Sequence, residues 1–574
     1  MRILTLHCDY IKFKALKKAI KDIEELSDKE KEGKEIKECL VVLTSIESGD
    51  SSETVKQLVE AVEKTAKEVK TEKIVLYPYA HLSSNLAKPQ LALELLKEAE
   101  KQLSKKFNTT RAPFGYYKEF EFKCKGHPLA ELSKTFSSSG DVEAKTKIVS
   151  KEEPIDTSKL LSQISRSKLD TSKLKDNDHR ILGQRLDLFS FNEASPGNPF
   201  FHPNGQIIFN ELIRLSRELQ SELGYQEVNT PQVFDTKLWK VSGHWDHYKD
   251  NMFLTEYEGR SSGLKPMNCP GHMLLYKTNM HSYKDLPIRF SEYGGLHRVE
   301  LSGVLNGLFR VIRLHQDDTH IFCTLEQLED EISSILSLIN KIYKEIFKFK
   351  KIEVKLSTRP ESFMGKKEDW DKAEDILEKL LKKSKLKYDI KKGEGAFYGP
   401  KIDFDIEDSL ERKWQCSTIQ LDMQLPKRFE LTYNGEDNKP HTPLVIHRAI
   451  FGSLERFMGI LLEHTNGALP LWLSPKQVRV ISFTDRNNKS TEKFAQELKK
   501  IIPNIRVDTD TRSDTVQSKI RDAEMLKINY IIVIGDKEEE NETIAVRQRG
   551  EKPQFGVKKD NFFKQLKEEL VHRS

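Results

Sequence analysis

Long apolar runs are missing from this chain: nothing in its 574 residues approaches the ~20 consecutive apolar positions that a membrane-spanning helix needs. The opening, Met-Arg-Ile-Leu-Thr-Leu-His-Cys, lacks a signal peptide's hydrophobic region and cleavage site and reads instead as a buried strand. Cysteine is scarce. Six spread over this length give no disulfide framework and fit a reducing, cytoplasmic setting with no membrane partner. An excess of one charge is also missing. With 94 basic and 89 acidic residues the net charge is only +5, so nucleic-acid binding has to rest on local patches. The two commonest nucleotide cradles are absent too: there is no Gly-x-x-x-x-Gly-Lys-Ser/Thr loop and no Rossmann fingerprint.

What is present suits a solvated, multidomain globular protein, 37% apolar and 32% charged, with two to four domains expected from its length. Residues 1–145 read as an α/β unit. Strands are expected at Ile3–Leu6, Leu40–Ile46, Ile74–Tyr79 and Tyr116–Cys124, with helices at Ser52–Val69 and Gln90–Lys105. From Ser137 to Asp178 the composition turns to Ser, Lys, Asp and Glu, the signature of a linker, placed at 146–184. Residues 185–467 form the next unit. It opens with an amphipathic helix at Ile207–Leu223, stopped by Gly224 in a left-handed cap, and an edge or interface strand carrying Pro231. Alternation at Ile288–Phe290, Leu308–Ile312, Ile402–Ile406 and Trp414–Met423 predicts a sizeable antiparallel sheet. A strand-into-helix passage runs from His447 to Leu462 through Gly452-Ser453. After Pro470 strands and helices alternate, so 468–574 reads as a βαβ-type domain around a mostly parallel sheet.

The chemistry concentrates between Lys265 and Arg456. Cys269, His320 and His447 are separated by about 50 and about 127 residues, which is no zinc-finger spacing. Three such ligands with an open fourth position would nevertheless be the pattern of a working zinc site. A lone Cys or His is usually a core residue; these three lie in polar, motif-dense stretches. The candidate phosphate ligands are arginines, Arg298, Arg310 and Arg456, because a guanidinium fork grips phosphate oxygens bidentately and stays charged. Taken singly, an arginine of this kind is more often a sheet-surface ion pair.

Here the residues resemble a family. Arg298-Val-Glu300 with Arg310 is similar to motif two of class II aminoacyl-tRNA synthetases. Gly452-Ser453-Leu-Glu455-Arg456 is similar to motif three, and the Ile207 helix with Pro231 to motif one. Met267-Asn-Cys-Pro-Gly-His272, Gln316-Asp-Asp-Thr-His320, Phe397-Tyr-Gly-Pro-Lys401, Trp414-Gln-Cys-Ser-Thr-Ile-Gln420 and Ile446-His-Arg-Ala-Ile450 narrow the resemblance to threonyl-tRNA synthetases, over about 185–574. The resemblance implies Zn2+ on Cys269, His320 and His447, and a threonine pocket of Met267, Asp318, Tyr398 and Gln420. It implies that Arg298, Glu300, Arg310, Lys401, Gln415, Ser453 and Arg456 bind ATP with Mg2+. Leu314 stands where the family carries an aromatic that stacks on adenine.

In the N-terminal unit, Tyr79-Ala-His81-Leu-Ser, Phe114-Gly-Tyr-Tyr-Lys118 and Gly126-His-Pro-Leu-Ala-Glu131 resemble the archaeal editing domain, a relative of D-aminoacyl-tRNA deacylases. That resemblance implies a hydrolytic pocket of His81, Tyr117, Lys118 and Glu131 with Ala80, Phe114 and His127 nearby. The C-terminal domain resembles an anticodon-binding domain. In it Arg547 and Arg549 fall where bases are read, helped by Lys519 and Arg521; a solvated face is the competing reading. The implied partners are threonine tRNA, ATP, L-threonine and a second copy in a homodimer. Two other readings stay open: an editing-only or regulatory paralogue, and a class II enzyme of other specificity.

Overall fold

The computed structural model describes residues 1–136 except 21, 22, 24, 28–30, 84 and 128, then 158, 161 and 174–573. Most of the expected linker lies outside the described residues. Two units separate, 1–154 and 155–574, and each is taken by itself.

The first unit is organised by one long strand, β1 (Arg2–Lys18). Alongside it run β2 (Lys34–Ser45), helix α1 (Ser52–Glu68), β3 (Lys73–Pro78), α2 (Pro89–Leu103), β4 (Asn108–Arg111), β5 (Tyr116–Cys124) and β6 (Glu131–Thr135). The sheet order is β4-β3-β2-β1-β5, with β6 on the same edge of β1 as β5. The run Cys39-Leu-Val-Val-Leu is apolar throughout because β2 is buried on both faces, against α1 and α2 on one side and beside Leu6, Val75 and Tyr77 of its neighbour strands on the other. Ser51 caps α1 in a capping box with Thr54. The expected strand ended at Leu6, whereas β1 continues to Lys18: Lys12 and Lys14 alternate outward between buried Ile11, Phe13 and Ala15 and break the apolar run without breaking the strand.

The second unit holds an eight-stranded sheet. Its elements in chain order are α3 (Pro203–Ser221), β7 (Gln226–Glu227), α4 (Cys269–Lys277), β8 (Ile288–Glu292) and β9 (Asp318–Cys323). They continue with α5 (Leu328–Asn340), β10 (Ile352–Ser357), α6 (Lys367–Lys383), β11 (Tyr388–Lys391), β12 (Lys401–Glu407), β13 (Lys413–Asp422), β14 (Leu444–Ala449) and α7 (Leu454–His464). The order across the sheet is β11-β10-β12-β13-β14-β9-β8-β7, antiparallel except for the two edge pairs. Gly224 takes the left-handed conformation (φ +73°) after α3 as expected. Pro231 sits beyond the short edge strand β7 rather than in it. Leu308–Ile312 is a turn, not a strand: Phe309 N–H closes onto Asn306 O, and Gly307 at φ +52° reverses the chain. A helix at His179–Arg185, inside the stretch assigned to the linker, is docked on the core through Leu182.

The C-terminal part comprises β15 (Val478–Ser482), α8 (Asn488–Ile501), β16 (Val507–Asp510), α9 (Val516–Met525), β17 (Tyr530–Ile534), β18 (Thr543–Gln548), β19 (Gln554–Lys558) and α10 (Lys559–His572). Strands β16-β15-β17 are parallel, and β18 and β19 add antiparallel to them, which the expectation of a mostly parallel sheet did not include.

One glycine tests this packing. Gly205 lies in the first turn of α3, where a Cβ would run into the Leu188 carbonyl oxygen. Helix propensity alone favours Ala by ~1 kcal/mol, but a backbone oxygen cannot rotate away. Gly205→Ala is therefore expected to lower the melting temperature; an unchanged or raised one would show that the segment at Leu188 yields.

Candidate active site

Strand register builds the site. Phe290, His320, His447, Gln420, Lys401 and Ser357 form one row across β8, β9, β14, β13, β12 and β10, each directly opposite the next. Residues as far apart in sequence as 290 and 447 thus stand ~5 Å from their neighbours in the row. Cys269 reaches the same place from the first turn of α4, where Pro270 occupies a position that needs no N–H.

The ligand atoms of Cys269, His320 and His447 lie within 4.8 Å of one another, and all three side chains are buried. His447 Nε2 meets Asp422 Oδ2 at 2.8 Å, which places the ring proton there and turns the Nδ1 lone pair inward. That Nδ1 and both ring nitrogens of His320 are buried without a hydrogen-bond partner. Burial, aided by Asp318 and Asp422, pushes the Cys269 thiol well above its ordinary range. Burial, His447 and His272 hold His320 well below its own. Orphaned lone pairs that resist protonation, beside a thiol that resists ionisation alone, are what a dication satisfies. The residues fit zinc.

Cys269 and His447 open into a cavity of about 740 Å3. Met267, Cys269, Arg298, Glu300, Arg310, Asp318, Tyr398, Gln415, Gln420, His447, Ser453 and Arg456 all line it, together with Leu314. His320 and Lys401 stand behind the wall. Lys401 Nζ pairs with Asp403 at 2.9 Å, and Asp403 also accepts from Gln415. Near the metal set, Asn268 donates to Asp318, Tyr398 OH bonds Gln420, and the Tyr398 ring stacks on His447 at 4.8 Å. At the other end Arg310 pairs with Glu300 at 2.8 Å, and Arg456 lies over Trp414 with its buried Nε unpartnered.

Sequence reasoning passed over Asp317, Phe309 and Trp414. Adjacent residues of a strand face opposite ways, so Asp318 lines the cavity while Asp317 turns inward. Its carboxylate accepts the N–H groups of Ile450, Phe451 and Gly452 at 2.8, 3.0 and 3.1 Å and holds the bend that leads to Ser453. Phe309 and Trp414 line the cavity with ring centroids 4.5 Å apart, so aromatic surface is present despite Leu314.

In the first unit, Ala80, His81, Phe114, Tyr117 and Lys118 line a second cavity of about 410 Å3. Glu131 and His127 do not join them. Lys118 is opposite Ala15 and Glu131 opposite Leu6, nine residues apart along β1, or ~30 Å at strand rise. His127 instead bonds His7, Nε2 to Nδ1 at 2.8 Å. Burial pulls the Lys118 amine down to about 8, and it donates to Pro113 O and Tyr116 O.

The C-terminal arginines divide. Arg549 donates to the carbonyls of Lys527, Ala468 and Leu469, which fastens this domain to the segment leaving the catalytic sheet and takes its guanidinium away from base reading. Lys519 is buried on Ser482 O. Arg547 is half-buried beside Glu524.

Behind the metal set, Glu292 is buried among Lys265, His272 and Thr230. Burial alone would raise its pKa, but bonds from His272, Lys265 and Thr230 lower it to about 2. A depressed carboxylate adds stability present above its unfolded pKa and lost as pH falls through the folded one, here from about 4.5 to about 2, on the order of 3 kcal/mol. Glu292→Gln is therefore expected to be less stable at neutral pH and to lose less on acidification through that window, measured by denaturant unfolding at each pH. Parallel pH profiles would contradict this.

Three families match the chain in succession: the archaea-specific editing domain of threonyl-tRNA synthetase over 1–136, the tRNA synthetase class II core domain (G, H, P, S and T) over 253–465, and an anticodon binding domain over 477–569. A threonine–tRNA ligase of Petrotoga mobilis is 51% identical over 401 residues, covering 70% of this chain and 62% of that one. One of Thermotoga maritima is 50% identical over 398 residues, covering 69% and 61%. The match thus spans less than two thirds of these relatives' length. Among solved structures, the RNA binding domain of threonyl-tRNA synthetase from Cryptosporidium parvum is 41% identical with a TM-score of 0.66, covering 68% of this chain and 98% of that one. The threonyl-tRNA synthetase ThrRS-1 of Aeropyrum pernix is 30% identical with a TM-score of 0.61, covering 69% and 97%. With the metal set, the arginines and the antiparallel sheet in one cavity, the chain belongs to the threonyl-tRNA synthetase family of class II.

Proposed function

We propose that the chain is a threonine–tRNA ligase that makes threonyl-adenylate from L-threonine and ATP·Mg2+, charges threonine tRNA, and hydrolyses mischarged seryl-tRNA in its N-terminal unit. The observation that carries this reading is the buried Cys269–His320–His447 set, with both ring nitrogens of His320 and Nδ1 of His447 unpartnered, whose Cys269 and His447 line the same cavity as Arg298, Arg310 and Arg456. Zinc held by Cys269, His320 and His447 would supply a Lewis acid for the amino and hydroxyl groups of threonine together, and valine, which has no hydroxyl, would offer one donor fewer.

The chain's own residues do the rest. Asp318 faces the substrate amino group, and Tyr398, Gln420 and Met267 close around its side chain. Arg298 holds the α-phosphate and Glu300 the adenine end, so Arg310 exchanges its partner Glu300 for the polyphosphate, which Arg456 also grips. Gln415, Lys401 and Ser453 complete the nucleotide site. The threonine carboxylate attacks the α-phosphorus, the bond to the β-phosphate breaks, and pyrophosphate leaves with its charge neutralised by guanidinium groups. A ribose hydroxyl of the tRNA end then takes the acyl group and AMP departs.

Serine carries the same two polar groups and lacks only a methyl, worth ~1–3 kcal/mol, which motivates a second, hydrolytic site. His81, Tyr117 and Lys118, with Ala80 and Phe114, are the residues proposed for it; an amine near neutrality can orient the ester and water. Arg547 is the proposed base-reading arginine. The enzyme is proposed to work in the cytosol as a homodimer joined through α3 and β7, the strand at the sheet's edge.

ATP–pyrophosphate exchange against a panel of amino acids tests the ligase. Threonine should drive exchange, serine weakly and valine barely; none with threonine would overturn the reading. Cys269→Ser should lower zinc content and threonine activation together, whereas full activity without metal would contradict the assignment. Lys118→Ala should leave threonine charging intact and let seryl-tRNA accumulate, as followed with labelled serine. An unchanged serine error would remove the N-terminal cavity from proofreading.

A further inference from the structure

A histidine outside every motif is built into the floor of the nucleotide end. His179 opens the helix that leads the catalytic region and is fully buried. Its backbone N–H and Nδ1 both meet Glu463 Oε1 of α7, at 2.9 and 2.6 Å. The Leu308 N–H lies 3.0 Å from Nε2. A main-chain amide can only donate, so Nε2 is the acceptor and the ring proton sits on Nδ1, aimed at Glu463. The Leu308 amide belongs to the turn of motif two, two residues before Arg310.

Independent packing points the same way. The His179 ring lies 4.1 Å from that of Phe309, which in turn lies 4.5 Å from Trp414; the latter two line the cavity. Gly307 at φ +52° leaves no room for a Cβ, because one would strike His179 Nε2. On α7, Gly459 clears space for Phe309 in the same manner. Glu463 also pairs with Arg412 at 2.6 Å; Arg412 covers Trp414, whose Nε1–H donates to Asp408. Asp178, His179 and Glu463 have the makings of a cation site, but Arg180 and Arg412 already neutralise the two carboxylates and Nε2 is engaged.

We propose that His179 is a positioning residue for ATP: bonded to Glu463 and to the Leu308 amide, it fixes the turn that presents Phe309 and Arg310 to the nucleotide. Threonine, at the metal end, does not feel it. This rests on the ligase reading for the reaction but not for the binding measurement. His179→Phe keeps a ring against Phe309 and removes both polar bonds. ATP·Mg2+ affinity by calorimetry and kcat/KM for ATP in exchange should each fall about tenfold, the worth of one lost buried hydrogen bond, while KM for threonine stays within about twofold. His179→Gln, which can accept from Leu308 and donate to Glu463, should recover most of the loss. Gly307→Ala reaches the same turn from its other side and should reproduce the defect if His179→Phe proves insoluble. Unaltered ATP affinity in His179→Phe, or ATP and threonine parameters falling together, would overturn the inference. ATP binding without threonine-dependent exchange in the unaltered protein would sink the proposed reaction and leave this inference standing.

Discussion

The pairing register of β9, β14, β13 and β12 is the constraint on which everything else depends. It sets His320 against His447, His447 against Gln420 and Gln420 against Lys401, so two candidate metal ligands, a residue proposed for the threonine pocket and one proposed for the nucleotide share one row. A slip of a single residue in any of these strands would turn its contribution to the opposite face. Buried on both faces, the sheet resists such slips: Ile321, Ile446 and Leu421 form one neighbouring row, Ile419 and Ile402 belong to another, and all point into the main core.

Charge inside this core is arranged in closed accounts. Asp317 gathers three amides at the bend before Ser453, Asp403 holds Lys401, Gln415 and Ser357, and Glu292 holds Lys265 and His272. Each carboxylate is buried and each is answered. Against that background the unpartnered nitrogens of His320 and His447 and the free Nε of Arg456 stand out as groups awaiting a ligand.

Much of this was legible in the sequence because it is carried by local pattern. Apolar alternation located Ile288–Phe290, Ile402–Ile406 and Trp414–Met423 in the large sheet but not β9, β10 or β11, and the short motifs named twelve of the residues that line the large cavity. What escaped depends on relations between distant segments. Glu131 and Lys118 stand in neighbouring motifs, yet β5 and β6 pair with opposite ends of β1, a fact of register that spacing does not carry. Leu308–Ile312 alternates like a strand, but Gly307 and the His179 imidazole bend it into a turn. Arg549 resembled a base reader because a guanidinium looks the same in sequence whether it faces solvent or carbonyls. His179 itself sits where the composition has only just ceased to be that of a linker.

The Arg549 clamp has a consequence for how the C-terminal domain behaves as salt is raised. Its acceptors are main-chain oxygens reached by a mostly buried guanidinium, not carboxylates reached through water, so mobile ions have little to screen. Contacts to a polyanion at the domain's outer surface weaken steeply with ionic strength. The joint to the large sheet does not, and the domain therefore keeps its bearing as ionic strength rises.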